Sequence, residues 1–229
     1  MDSLRSAPFP LSPEEQLWQA STTGDLRRVI ELVHTSPGIN VNWQDEQVLR
    51  TPFYRACFFG HTRVVRFLLG IPEVSVTRCN SDGTTPFMAA CSKGHEEVVR
   101  LLLADPRVDV EKAMKDGQTP LSVILEMNMV PIFKQLVASG REFRVDRPVD
   151  VELSVSIVSS LEWITFLRSF NEPFVTPRDI AQAKGHDECL AILNMFVSMP
   201  RKLRPIIWRE LNQQGLPTPP FFPSFQCDT

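Results

Sequence analysis

Apolar residues along this chain recur with a period of 34 positions. Val64, Val65, Leu68 and Leu69 return as Val98, Val99, Leu102 and Leu103, and again as Ile132, Phe133, Leu136 and Val137. Adjacent pairs separated by four positions lay a broad apolar face along a helix. A second signature precedes each run. Thr51-Pro52, Thr85-Pro86 and Thr119-Pro120 read as helix starts. The Thr hydroxyl caps free amides, and Pro fits the first turn, where no N–H partner is needed. Ala56-Cys57 and Ala89-Ala90-Cys91 then give a thin face along which neighbouring helices can approach. Gly60 and Gly94 suit the left-handed residue that ends a helix, and Asp82-Gly83 and Asp116-Gly117 are turn dipeptides. Each unit is therefore predicted to be two helices and a turn. One unit cannot bury both its faces, so the units must stack.

Taken together, Thr-Pro, Ala-Ala, Gly-His and Val-x-x-Leu-Leu resemble the ankyrin repeat, whose period is about 33 residues. The extra residue is expected in the loop near Ala104–Arg107. The resemblance covers about residues 13–198. It implies an all-α, ankyrin-like solenoid of helical hairpins with short turn or β-hairpin fingers, about five to six repeats, some of them degenerate. Residues 1–11 read as a flexible arm, and 12–198 as the repeat domain. The units are 12–47, 48–81, 82–115, 116–149, a degenerate 150–175, and 176–198. Ser12-Pro13-Glu14-Glu15 is a capping box that opens the first unit, which lacks Thr-Pro and Asp-Gly. In the fourth, Asn128-Met129 replaces Gly-His. The alternative for the degenerate stretch is a strand-like insertion at 149–158, rich in β-branched residues. Thr176-Pro177 through Gly185-His186 restores the motif. Residues 199–229 read as a capping helix, with Leu203, Ile206, Ile207 and Leu211 on one stripe, and a Pro/Phe-rich tail.

Composition narrows the setting. A formal net charge of −3 argues against nonspecific nucleic-acid binding. No apolar run approaches the ~20 residues needed to cross a bilayer. Met1-Asp2-Ser3-Leu4-Arg5 lacks the apolar stretch of a signal peptide, so a cytoplasmic location is expected, with the nucleus as the alternative. The working form is expected to be a monomer. Five cysteines without paired spacing give no disulfide framework.

Candidate chemistry is sparse. Cys57-x-x-x-His61 and Cys91-x-x-x-His95 have a metal-like look. Both are copies of one repeat motif, however, and zinc sites usually need four convergent ligands. No phosphate loop and no nucleophile with a partner set is present. The reading is neither an enzyme nor a cofactor protein. It is a scaffold for a partner protein. The alternatives are a regulatory subunit or inhibitor of an enzyme, or a ubiquitin-ligase substrate adaptor, the last resting on a faint box-like pattern over 203–220.

The resemblance also implies where a partner binds: the fingertips and the two residues before each helix-ending glycine, along a concave groove. Carried onto this chain, the tip positions are Trp43, Arg50, Ser81, Asp82, Lys115 and Asp116. The helix-end pairs are Thr22-Thr23, Phe58-Phe59, Ser92-Lys93, Glu126-Met127 and Ala183-Lys184, of which the three middle pairs are taken as partner-binding. Phe58 and Phe59 stand out, because two aromatic rings at positions normally open to water are typical interface anchors. The competing reading is that the loop before them, through Trp43, covers both rings.

Overall fold

The computed structural model describes residues 11–150 and 174–198. Ten helices are found among them: α1 (Pro13–Thr23), α2 (Leu26–Thr35), α3 (Pro52–Phe58), α4 (Thr62–Leu69), α5 (Pro86–Ser92), α6 (Glu96–Ala104), α7 (Pro120–Glu126), α8 (Val130–Ala138), α9 (Pro177–Ala183) and α10 (Asp187–Ser198). Two short strands, β1 (Val149–Asp150) and β2 (Phe174–Val175), separate α8 from α9.

The helix starts are those the Thr-Pro pairs predict. The hydroxyls of Thr51, Thr85, Thr119 and Thr176 accept the backbone N–H of the third residue on, at 3.0, 3.2, 3.2 and 3.3 Å. In α1 the box is reciprocal, with Glu15 N–H donating to Ser12 Oγ at 3.2 Å and Ser12 N–H to Glu15 Oε2 at 2.8 Å. Two turns take a left-handed backbone without glycine. Leu49 stands at the repeat register of Gly83 and Gly117, and Asn128 at that of Gly94, with φ of 55° and 53°.

The helices form two rows. In one, α1, α3, α5, α7 and α9 pack in succession; in the other, α2, α4, α6, α8 and α10 do the same. Ala56, Cys57, Ala90, Cys91 and Ala181 are fully buried along the first row, so small side chains let these helices approach. Val65, Leu68, Val99, Leu102, Phe133 and Leu136 fill the space behind them. Full burial of each such side chain stabilises the stack by roughly 1.5–3 kcal/mol.

Backbone bonds tie the turns together across repeats. Ser81 N–H donates to Val48 O and Lys115 N–H to Asp82 O, both at 3.0 Å. On the loops that follow the second-row helices, cations reach back one repeat. Arg78, Lys112 and Arg147 donate to the carbonyls of Asn42, Thr77 and Glu111, at 3.3, 3.3 and 3.1 Å. Arg107 and Arg141, 34 positions apart, donate to the Leu69 and Asp105 carbonyls.

Both readings of the 150–175 stretch fall mainly on residues outside those described. At its edges the chain pairs with itself: β1 and β2 are antiparallel, with Val149 opposite Val175 and Asp150 opposite Phe174. Helix α9 packs on α7 and α10 on α8, so the unit at 176–198 stacks directly on the unit at 116–149. The expected capping helix and Pro/Phe-rich tail, and all but the last residue of the N-terminal arm, lie outside the described residues.

Candidate partner-binding surface

The surface is built at the turns that end the first-row helices. At each of three such turns a histidine from the next repeat reaches back to a backbone carbonyl. His61 Nε2 lies 2.8 Å from Thr22 O, His95 Nε2 lies 2.9 Å from Phe58 O, and His186 Nδ1 lies 2.7 Å from Leu125 O. The glycines make room for these rings. A Cβ added at Gly60 would meet His95 Nδ1 at 2.5 Å, and one at Gly24 would meet His61 at the same distance. The histidines are therefore latches between repeats: the Thr22 and Phe58 carbonyls at the helix ends gain a hydrogen bond, and Leu125 O, which also accepts Asn128 N–H at 3.4 Å, gains a further one.

The Cys57 and Cys91 thiols, the other half of the metal-like spacing, are fully buried, and burial holds both pKa values well above the ordinary thiol range. They behave as small apolar side chains. Cys189 is likewise pushed up to about 11 by burial.

Around the first of these turns lies a cluster of rings and cations. Phe58 and Phe59 meet edge to face with centroids 5.1 Å apart, and Tyr54 stacks on Phe58 at 6.2 Å. Arg55 Cζ sits 4.7 Å from the Phe59 ring centroid and 4.4 Å from that of Trp18. Arg50 Cζ lies 5.8 Å from the Tyr54 ring and 5.7 Å from Phe58, and Lys93 Nζ lies 4.8 Å from Phe58. The stacking orders these side chains by cation–π attraction. Two hydrogen bonds lock the frame: Trp18 Nε1–H donates to Arg50 O at 3.0 Å, and Arg55 Nε–H to Thr22 Oγ1 at 2.9 Å. The cations also crowd one another. Burial, and then the neighbouring Arg50 charge, lower the Arg55 pKa from its ordinary value, while burial raises that of Tyr54.

The residues singled out from the sequence take different places. Phe59 is 41% exposed and Phe58 half-buried. Besides the stacked rings of Tyr54 and His61, the groups over these rings are cations, and the tryptophan that joins the cluster is Trp18, not Trp43, which is half-buried in its own loop. Arg50, read as a fingertip, lies against the rings instead. Ser92 is half-buried and donates to Ala89 O, while Lys93, Asp82 and Lys115 are exposed and Ser81 half-buried. Asp116 is a correction: read as a tip residue open to a partner, it is buried, and its carboxylate accepts from Gln118 N–H at 3.0 Å, building the turn from within. Glu126 pairs with Lys184 of α9 at 3.0 Å, and Met127 is 49% exposed. Trp18, Tyr54 and Arg55 were missed. A signal for two of them was present, since Tyr54 with Phe58 and Arg55 with Phe59 are i, i+4 pairs on one helix. Trp18 carried none, because its neighbour across the stack is set by packing alone.

Among the described residues no helix is long and apolar enough to cross a membrane. A search of curated proteins finds no match. The sequence model for ankyrin repeats in three copies matches residues 17–112 and 71–147, which together take in more than half of the chain. Those matches run from within α1 through α8, and the direct stacking of α9 and α10 continues the same two rows. With Thr-Pro helix starts, thin first-row helices and histidine latches from one repeat to the next, the chain belongs to the ankyrin-repeat family.

Proposed function

We propose that this protein is a scaffold that binds a partner protein through the surface at the ends of α1, α3 and α5. Ankyrin repeats generally serve as protein-interaction modules rather than as catalysts. The observation that carries the choice of surface is the pair Phe58 and Phe59. They stand half-buried and exposed, held in fixed orientation by Tyr54, Arg50, Arg55 and Lys93. Rings ordered before binding lose little entropy when a partner arrives, which is the condition for an anchor. Ser81, Asp82, Ser92 and Lys115 extend the same surface, and Glu126 and Met127 continue it into the next repeat. The proposed setting is the cytoplasm, with the nucleus as the alternative, and the working form a monomer. The four described cysteines are free thiols, which fits a reducing compartment.

The test replaces both rings. A Phe58→Ser/Phe59→Ser protein should keep its helical circular dichroism and most of its melting temperature. It should lose at least about 2 kcal/mol of affinity for the partner recovered by affinity capture with the intact chain and mass spectrometry. A double variant that unfolds would make the rings core. One that folds and captures at full strength would move the interface elsewhere. A single stoichiometric enzyme among the captured proteins would favour the inhibitor role, and cullin-type ligase components the adaptor role.

A further inference from the structure

We infer that the segment received at this surface is an acidic peptide, carrying Asp or Glu side chains on either side of an apolar residue. The inference rests on the reading of Phe58 and Phe59 as a partner-binding surface and adds the chemistry of the occupant. Three cations, Arg50, Arg55 and Lys93, converge on the two rings. Among the described residues none of the three has a carboxylate within ion-pair distance. Arg50 Nε is buried and has no hydrogen-bond partner among them.

The two nearby acids are already engaged. Asp45 accepts the backbone N–H of Val48 at 3.0 Å and of Arg50 at 2.7 Å. Asp82 takes hydrogen bonds from the Asn80 amide and the Ser81 hydroxyl, at 3.3 and 3.4 Å. Both carboxylates serve turns. Lys93 is exposed and the two arginines are half-buried, and among the described residues none of the three is ion-paired, on a chain whose net charge is −3. Burial first, and then repulsion from Arg50, lower the Arg55 pKa, against the weaker attraction of Asp45. An incoming carboxylate relieves that repulsion, and Arg offers it a paired N–H fork. The exposed edge of Phe59 takes the apolar residue between the acids. Complementarity of this kind sets specificity and association rate.

The experiment uses the intact chain and a bead library of decapeptides, each position drawn from Asp, Glu, Gln, Lys, phosphoserine, Leu and Phe. Retained beads are sequenced at low and at moderate salt. Asp and Glu should be enriched over Gln and Lys, in combination with Leu or Phe, and enrichment should weaken as salt rises. Lys93→Glu, at an exposed position, should fold as the parent does and bind a selected acidic peptide about tenfold more weakly, as expected when one close charge contact is inverted. Phe58→Ser/Phe59→Ser should retain no beads. Selection of Gln-rich or Lys-rich peptides, or of phosphoserine over both acids, would overturn the inference. Loss of binding in the phenylalanine variant with no effect of Lys93→Glu would overturn the acidic specificity while leaving the surface in place. Undiminished retention by the phenylalanine variant would overturn the surface itself.

Discussion

At the scale of single residues, Leu49 is the clearest departure from repeat logic. It occupies the position where Gly83 and Gly117 turn the chain in the next two repeats, and it adopts the same left-handed backbone with φ of 55°. A side chain there costs roughly 1–2 kcal/mol. Leu49 is 44% exposed, so its burial offsets little of that. Leu49→Gly should therefore raise stability by about 1 kcal/mol, read from the urea midpoint. An unchanged midpoint would mean that the leucine contacts repay the strain. The missing Asp-Gly was visible in the sequence. That the backbone would make the turn regardless was not, because neighbouring turns impose it through Ser81 N–H and Val48 O. Asp116 makes a second case. Burial raises its pKa, and the amide hydrogen bond from Gln118 only partly opposes this. A folded pKa above the unfolded value of 3.8 means the native state holds the proton more tightly. That contribution is fully present below the unfolded value and is lost as pH rises through the folded one. Asp116→Asn keeps the acceptor and removes the charge. It should be more stable than the parent at neutral pH, with an advantage that shrinks as the solution is acidified through the carboxylate range. An advantage that grows on acidification would show that the charge is favourable in the turn.

At the scale of elements, start and stop chemistry is local and therefore legible. Thr85 Oγ1 accepts Met88 N–H at 3.2 Å, and Thr85→Ala should cost on the order of 1 kcal/mol. Leu102 is a different matter. It is fully buried in α6, which packs against α4 on one side and α8 on the other. Leu102→Glu places an unpaired charge between three repeats and should cost several kcal/mol, enough to unfold the stack in the absence of denaturant. Urea melts of the two variants side by side check the contrast. Equal, small losses would mean that the stacking register is wrong. The drift of α7 is also instructive. Val123, Ile124 and Leu125 replace the thin Ala-Cys face yet are buried, and Met129 takes the histidine's place, its Sδ 3.8 Å from where a Cβ on Gly94 would stand. A thioether fills the slot without the carbonyl bond, so the pattern could weaken while the packing held.

At the scale of the whole molecule, the unit at 176–198 is joined to the rest by space rather than by sequence spacing. Its His186 reaches the Leu125 carbonyl, Lys184 pairs with Glu126, and the Cys189 thiol donates to Asn128 Oδ1 at 3.3 Å. Because Asp150 and Phe174 are paired partners across β1 and β2, a two-residue Asn-Gly turn can close the gap between them. A chain with 151–173 replaced by Asn-Gly should keep α9 and α10 docked, with slow amide exchange at Ile180 and Leu193 as the readout. Fast exchange there would show that the replaced stretch holds the last pair in place.

What the sequence determines by itself is whatever a residue does to its own neighbourhood: Thr-Pro caps, glycine helix ends, the 34-residue period, and from these the helix pairs and their obligation to stack. Such signals repeat, so each copy strengthens the others. The tertiary structure alone decides which groups from different repeats meet. It brings Trp18 to Arg55, Lys93 to Phe58 and His186 to Leu125 across 37, 35 and 61 positions, and it buries Asp116 within its turn. The proposed binding surface belongs to this second class, because its charge and shape come from side chains that share an edge of the stack and nothing in the linear order.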